Sequence, residues 1–554
     1  NTGSFPANPN RLGSLLNSNI LSLFEDFSGN LWIGHQGQGI SILNLHKKEF
    51  DTYRHDPSDN NSLISNTIMC FNGNNEDILI GCRIGGINIL PKNRKLAEVE
   101  GFRRAMLISP VGVAPFVHGV WDIAKVTDDL FLVGSFEGVF ELKKASDKWE
   151  VRLFSDQELF SQSCRKIFVD ENKNVWFGFL NHGLVFVPNL PVNGDRIYYQ
   201  FRYDENDENS LSDNELISML VDSNGRFWIG TVNGLNLVTM EYHNLDLSGK
   251  VQTEIRFKRF VSDRLEKNYL NNNEINCIFE NYNGQLWIAT QGGGINIFDP
   301  ASSSFTYLTQ EHGLPTNDVQ GILRDETGTL WISTNNGLVS YNQHVSDPKF
   351  HLYSFQDGIQ GSVFMVNSFF KSMDGEMFFG GDNGFTRFYP RNIHPNTVPP
   401  KMVLTDMKIY NRVIGIGDTI YKQNVLEKCL NETSSIKLPF RDRVFSIGVS
   451  SIHYQYPLGN YITFKLEGYD KEWNVMPASS KFIEYSNLPF GDYTLKAIAY
   501  SSDNIPSVEP RELQIIIDPP WYLRWYVIVV FSLIGLTVLV GFILILVNRQ
   551  KLSY

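Results

Sequence analysis

The chain has 554 residues, of which 42% are hydrophobic and 19% charged; this excludes intrinsic disorder and leaves room for several folded domains. A formal net charge of -12 excludes the Lys/Arg-rich face that a nucleic-acid binder needs. The cysteines Cys70, Cys82, Cys164, Cys277 and Cys429 contain no C-x-x-C pair, so neither a zinc site nor a thiol redox motif is indicated.

The chain opens at Asn1 in a polar stretch without a secretory leader, as expected of a processed or excised exported protein. From there a short aromatic-aliphatic-small core recurs eight times. Its copies are Leu31-Trp32-Ile33-Gly34, Ile78-Leu79-Ile80-Gly81, Phe131-Leu132-Val133-Gly134 and Val175-Trp176-Phe177-Gly178. Further on come Phe227-Trp228-Ile229-Gly230, Leu286-Trp287-Ile288-Ala289, Leu330-Trp331-Ile332-Ser333 and Met377-Phe378-Phe379-Gly380. The spacing of 44 to 59 residues suits a four-stranded propeller blade.

An Asp/Asn-x-x-Gly turn precedes several cores, as at Asp26–Gly29, Asp222–Gly225, Asn281–Gly284 and Asp325–Gly328. Asp and Asn bond their own backbone two residues on, and Gly supplies positive φ. A Gly followed by an apolar residue comes after every core (Gly39-Ile40 to Gly384-Phe385) and opens a third strand. Upstream runs such as Ile20–Phe24, Ile217–Val221 and Ile275–Phe279 supply the inner strand, and Phe50–Tyr53 or Phe201–Tyr203 a fourth. Such units bury their faces only by stacking radially, so the Trp positions are expected to be inter-blade packing. The expected fold is therefore an all-β propeller over 1–392. Its eight copies close either as eight blades or as seven, the first then being the last blade of a preceding propeller.

Pro390, Pro395, Pro399 and Pro400 mark a linker. Over 399–518, Met402–Ile409, Ile436–Leu438, Val444–Val449, Tyr461–Leu466, Phe482–Tyr485, Tyr493–Ala499 and Leu513–Ile517 read as strands of an immunoglobulin-like β-sandwich lacking the cysteine pair of antibody domains. Trp525 to Val547 holds no charged residue in 23 positions. As a helix this spans ~35 Å, enough to cross a hydrocarbon core of ~30 Å. Trp521, Tyr522, Trp525 and Tyr526 form an aromatic belt before it, and Arg549 and Lys551 follow it. The β-rich mass is expected outside and residues 548–554 in the cytoplasm.

The repeated Asp-x-x-Gly-x-Leu-Trp-Ile-Gly…Gly-Leu/Ile units resemble the regulator-propeller repeats of bacterial two-component sensors. The stretch Leu466-Glu467-Gly468-Tyr469-Asp470-Lys471-Glu472-Trp473 with Tyr485-Ser486-Asn487-Leu488-Pro489-Phe490-Gly491-Asp492-Tyr493 resembles their triple-tyrosine (Y_Y_Y) domain. Propeller, triple-tyrosine domain and single span, in that order, are similar to hybrid two-component sensors of gut polysaccharide-degrading bacteria. The resemblance implies a periplasmic receptor for oligosaccharides on the inner membrane, a homodimer through the sandwich and helix. It also implies a histidine kinase, receiver and DNA-binding domain after the span. The chain stops seven residues past the span and carries about half the repeats of a two-propeller sensor, so no catalysis is assigned to it.

The turns after strands two and four of a blade open on one rim, since successive strands are antiparallel. The candidate ligand residues there are His35, Gln36, Arg83, Phe136, Asn181, His182, Asn233, Gln291, Asn335 and Asp382. They combine hydrogen-bonding groups with an aromatic face, as a sugar requires, and Arg83 suits a sulfated or uronic-acid sugar. Each is otherwise a solvated turn residue. The acidic loop Asp204-Glu205-Asn206-Asp207-Glu208 offers hard oxygens without the glycine-pivoted spacing of a calcium loop, so no metal is expected there, and no cofactor. Cys70 and Cys82 either meet as a disulfide or, the preferred reading, stay buried as small hydrophobes. The alternatives to a sensor are a propeller enzyme (glycan lyase or hydrolase), for which no G-x-S-x-G, H-E-x-x-H or phosphate loop appears, and a membrane-anchored adhesion scaffold.

Overall fold

The computed structural model describes residues 15–45, 47–92, 101–109, 112–116, 118–146, 148–190, 197–239, 255–262, 269–344, 350–420 and 423–552. The chain forms two compact units: Lys48–His394, and Asn1–Lys47 together with Pro395–Tyr554.

Three repeats owe the shape of their first turn to the aspartate that opens it. In the repeat of Trp228, Asp222 Oδ1 accepts the N–H groups of Asn224 (3.0 Å) and Arg226 (2.9 Å), and Oδ2 accepts Trp228 Nε1–H at 2.8 Å. Asp325 does the same for Thr327, Thr329 and Trp331, and Asp26 for Ser28, Asn30 and Trp32. Burial raises the Asp26 carboxyl, but its bonds from Trp32, Asn30 and Ser28 outweigh that and hold it below the usual carboxylate range. The turn and the buried indole are thereby locked to one another.

In the first unit described, Lys48–His394, seven such sheets form a ring. Blade 1 starts at Ile68–Gly73, blade 2 at Val120–Thr127, blade 3 at Cys164–Val169 and blade 4 at Leu216–Val221. Blades 5, 6 and 7 start at Ile275–Glu280, Val319–Arg324 and Phe364–Lys371. Each innermost strand neighbours the next, and that of blade 7 neighbours that of blade 1. The ring thus has seven blades. The tryptophans pack between blades as expected: Trp176 with Leu216 and Phe227, Trp228 with Ile275 and Leu286, Trp331 with Met377 and Phe379.

Two readings are corrected. Asp51–Tyr53 does not complete the first repeat; it pairs with Gly384–Phe388 as the outer strand of blade 7. The first repeat forms its own three-stranded sheet, Ile20–Glu25, Asn30–His35 and Gly39–Asn44, in the other unit. The repeat motif encodes a blade, not the ring to which the blade belongs. Blade 2 is also wider than its repeat, because Met106–Ser109 and Gly112–Pro115 extend it to six strands. All five cysteines are free thiols, four of them buried, so Cys70 and Cys82 form no disulfide.

Ring closure adds ion pairs to this strand exchange. Lys48 meets Asp357 at 2.8 Å with both side chains buried, and Lys92 of blade 1 meets Asp374 of blade 7 at 2.7 Å. Burial raises the Asp374 carboxyl, but bonds from Lys92, Ser372 and Tyr389 outweigh it and hold the group well below the usual carboxylate range. Tyr389 is pushed up to about 12 by burial and by its bond to Asp374.

The second unit contains the sandwich. One sheet orders Arg412–Ile414, Lys401–Ile409, Phe445–Ile452 and Phe482–Tyr485. The other orders Ser435–Leu438, Arg511–Ile517, Gly491–Tyr500, Tyr461–Glu467 and Asn474–Pro477. Leu404, Ile447, Leu466, Leu495 and Ile515 share its core. Tyr485 donates to Asp470 at 2.7 Å, and Asp470 also accepts Leu466 N–H at 2.7 Å. Tyr493 donates to Pro489 O at 3.1 Å. The first repeat docks on the sandwich within this unit: Tyr454 N–H donates to Ser28 Oγ at 3.0 Å, and its ring lies edge-on to Phe27 and Trp32. Arg511–Ile517 leads through Pro519 and Pro520 into one helix, Trp525–Leu552. Its stretch Trp525–Arg549 is long and apolar enough to cross a membrane, and none of it is buried.

Replacing Asp222 by alanine strands one indole and two backbone N–H groups, so urea unfolding of the ring, followed by tryptophan fluorescence, is expected to show a loss of about 3 kcal/mol. Asp374→Asn tests the pH response of closure. A lowered folded-state value contributes stability above the unfolded value and loses it as pH falls. The wild type is therefore expected to lose melting temperature on acidification through the carboxylate range more steeply than the variant.

Candidate functional site

The rim facing the start of every inner strand is assembled by a bond that recurs in all seven blades. The N–H just after strand two donates to the carbonyl just before strand one: Arg83 to Thr67 (3.0 Å), Phe136 to Gly119 (3.0 Å), Leu180 to Ser163 (2.8 Å) and Val232 to Glu215 (3.2 Å). The series continues with Gln291 to Glu274 (3.1 Å), Asn335 to Asp318 (3.3 Å) and Asp382 to Val363 (3.4 Å). Both sets of turns therefore lie at one end of the ring.

Eight of the ten candidates stand on this rim. Arg83, Asn181, Asn233 and Asp382 are exposed, and Phe136, His182, Gln291 and Asn335 are half-buried. Asn233 accepts from Asn273 at 3.0 Å, and Asn335 bonds Asp318. His182 Nδ1 bonds Leu180 O at 2.9 Å. His35 and Gln36 belong to the first repeat and are outside the ring. His35 is buried with Nε2 2.8 Å from Ser41 Oγ, and the Gln36 amide oxygen accepts from Asn19 at 3.4 Å.

The structure adds an inner circle that the repeat core does not mark. In blades 1 to 6 the pairing of strands one and two skips one residue at the second position of the inner strand: Met69, Trp121, Arg165, Ile217, Asn276 and Gln320. Such bulges re-aim a side chain out of the ladder. Two adjacent pairs touch each other. The Arg165 guanidinium lies 5.2 Å from the centre of the Trp121 ring, and Asn276 Nδ2 is 3.3 Å from Gln320 Oε1. Trp121 also packs on Phe136 (centroids 4.4 Å apart) and donates to Ser163 Oγ at 3.2 Å. Asn276 Nδ2 reaches Val319 O at 2.9 Å and Gln291 Oε1 at 3.3 Å. Arg165 pairs with Glu215; burial pushes its guanidinium down, and the charge of Glu274 works the other way.

The rim is thus unequal around its circumference. Blades 1 to 3 present Arg83, Phe136, Trp121 and Arg165; blades 4 to 7 present carboxamides and the carboxylates Glu215, Glu274, Asp318 and Asp382. Stacking and hydrogen bonding are the chemistry on offer. The signal for Trp121 and Arg165 in sequence is a bulky residue at the second position of the inner strand.

At the acidic loop, Asp204 and Asp207 each cap their own turn through Asn206 and Asn209 N–H (2.9 Å each). The carbonyls of Asp204 and Asp207 accept from Arg259 at 3.2 and 2.7 Å. Arg259 thereby ties two of the loop's backbone carbonyls together.

Comparison with known proteins agrees with the motifs. The Two component regulator propeller family matches residues 14–37, 210–233, 269–292 and 313–336, and the Y_Y_Y domain matches residues 453–518. The chain is 25% identical over 435 residues to "Histidine kinase P4" of Formosa agariphila, covering 78% of this chain and 30% of that protein. It superposes on the extracellular domain of the hybrid two component system BT3049 of B. thetaiotaomicron with a TM-score of 0.68 and 21% identity, over 91% of this chain and 62% of that one.

Gly119 sits where the rims of blades 1 and 2 meet, and a Cβ there would lie 2.2 Å from Arg83 O and 2.6 Å from the Phe136 ring. Gly119→Ala is expected to displace Phe136 from Trp121, read as a changed near-UV circular dichroism spectrum with unchanged far-UV signal.

Proposed function

We propose that this chain, built of two-component regulator propeller repeats and a Y_Y_Y domain, is the extracellular ligand-sensing region of a two-component sensor and that its ligand is an oligosaccharide. The observation that carries the reading is the inner circle: an indole packed on Phe136, a guanidinium and two carboxamides converge at one end of the ring. Sugars are bound by apolar ring faces together with donors and acceptors for their hydroxyls, and bulged positions on rigid strands hold such groups in place.

The ring and sandwich lie in the periplasm and the helix crosses the inner membrane. The signal passes through the sandwich to the helix and on to a cytoplasmic kinase, within a homodimer. The Pro519-Pro520 connection supports the relay, because it leaves little slack between the last sandwich strand and the span. The first repeat is one blade of a further ring, a reading supported by its exposed Leu21, Leu23, Phe24 and Ile42.

The test is calorimetric titration of the chain in detergent with cellohexaose, laminarihexaose, maltohexaose, xylohexaose, mannohexaose and pentagalacturonate. One of these is expected to bind the wild type, with at least tenfold weaker binding to Trp121→Ala at unchanged far-UV signal. Silence toward all of them counts against the oligosaccharide; equal affinity in Trp121→Ala counts against the rim.

A further inference from the structure

The inner strand of blade 7 is longer than those of blades 4, 5 and 6. From its first paired residue to the residue opening the next turn is eight positions, Phe364 to Ser372, against six in Leu216 to Asp222, Ile275 to Asn281 and Val319 to Asp325. Pairing breaks between Phe364 and Phe369, although their partners Gly381 and Phe379 are only two apart. The surplus residues leave the ladder and Asn367 turns left-handed, φ 60°, a conformation asparagine tolerates better than most residues.

What the bulge touches shows where it goes. Asn367 Nδ2 donates to Ile217 O at 2.8 Å. Ile217 is the inner-circle residue of blade 4, whereas the neighbours of blade 7 are blades 6 and 1. Ser368 Oγ donates to Ile68 O of blade 1 at 2.7 Å. Phe369 lies so close to blade 6 that a Cβ on Gly321 would fall 2.1 Å from its ring. One short bulge therefore bonds or packs against blades 1, 4 and 6, which it does by crossing the axis. Phe364 pairs with Gly381, next to the rim residue Asp382, so the crossing is at the rim end.

The geometry points to a built-in stopper: Met365–Ser368 close the rim-side mouth of the axial channel and form the floor of the ligand site, with Asn367 as the residue that contacts the ligand. This rests on the proposal that the rim takes an oligosaccharide. The amide suits the task, since a hydroxyl can accept its second N–H and donate to its Oδ1, which has no hydrogen-bond partner among the described residues. Blade 7 also holds both covalent passages of the ring, through Asp51–Tyr53 at the start and Tyr389–Asn392 before Pro395. A ligand that displaces the bulge acts on the blade from which the chain leaves for the sandwich.

Hydrogen-exchange mass spectrometry on the whole chain in detergent tests the stopper without any ligand. Wild-type residues 364–369 are expected to be protected, and to exchange at least tenfold faster in Asn367→Ala with the outer strand of blade 6, Phe350–Tyr353, unchanged. A wild-type bulge that exchanges like an open loop overturns the inference. The ligand arm uses the same six glycans. A glycan that binds is expected to alter exchange at 364–369 and to bind Asn367→Ala at least tenfold more weakly; equal affinity overturns the contact. If none binds the wild type, the oligosaccharide reading fails and the exchange arm decides the stopper. Asn367→Asp, which keeps the shape but loses the donor to Ile217, is the second variant should Asn367→Ala fail to fold; the same rise in exchange is expected, and none overturns the inference.

Discussion

The carboxylate that opens each Asp-x-x-Gly turn accepts two backbone N–H groups with one oxygen and a tryptophan indole N–H with the other. Turn geometry and inter-blade packing thus depend on one side chain. Where the indole is absent, so is the carboxylate: blade 7 has Phe378 in place of Trp and Ser372 in place of Asp, and the Ser372 hydroxyl bonds Glu376 O instead. In blades 1 and 2 the bond is kept by different residues, with Trp149 of the blade 2 outer strand donating to Asp77 at 3.0 Å. Blade 5 has Asn281, whose amide is exchanged with Gln343 at 3.0 Å, and the buried Trp287 Nε1 finds no hydrogen-bond partner among the described residues.

A framework fixed in this way leaves the second position of each inner strand free to vary. It takes no part in the regular ladder, and the residues found there range from Met69 and Ile217 to Trp121, Arg165, Asn276 and Gln320. The separation is physical: the Asp–Trp lock lies at one end of the strand pair and the bulge at the other. The residue at this position can change without disturbing blade stacking.

This division explains what was legible. The repeat core, the turns and the span are local patterns, and each maps onto an element within a residue or two. The sandwich strands were likewise readable by alternation, except the short pieces Arg412–Ile414, Thr419–Ile420, Gln423–Asn424 and Asn474–Pro477, which pairing rather than composition defines. Ring membership was not legible. Whether Asp51–Tyr53 completes the first repeat or the last is decided by a partner more than three hundred residues away, and no local pattern encodes that. His35 and Gln36 were misplaced for the same reason. Trp121 and Arg165 were hidden because a bulge is a property of two strands together, though the two extra residues before Ser372 are visible in blade 7 by counting.

The closing strand has a consequence in time as well as space. Lys48 and Asp357 are 309 residues apart in sequence, and the strand beginning at Asp51 has no partner until Gly384–Phe388 has emerged. Loop-closure entropy makes such a contact late and slow to form. As the chain emerges every earlier blade can stack on its predecessor, but the ring remains an open arc with two unsatisfied edges. Cyclisation then waits for blade 7, and a chain truncated anywhere before blade 7 is left with a bare strand edge prone to pairing with another molecule.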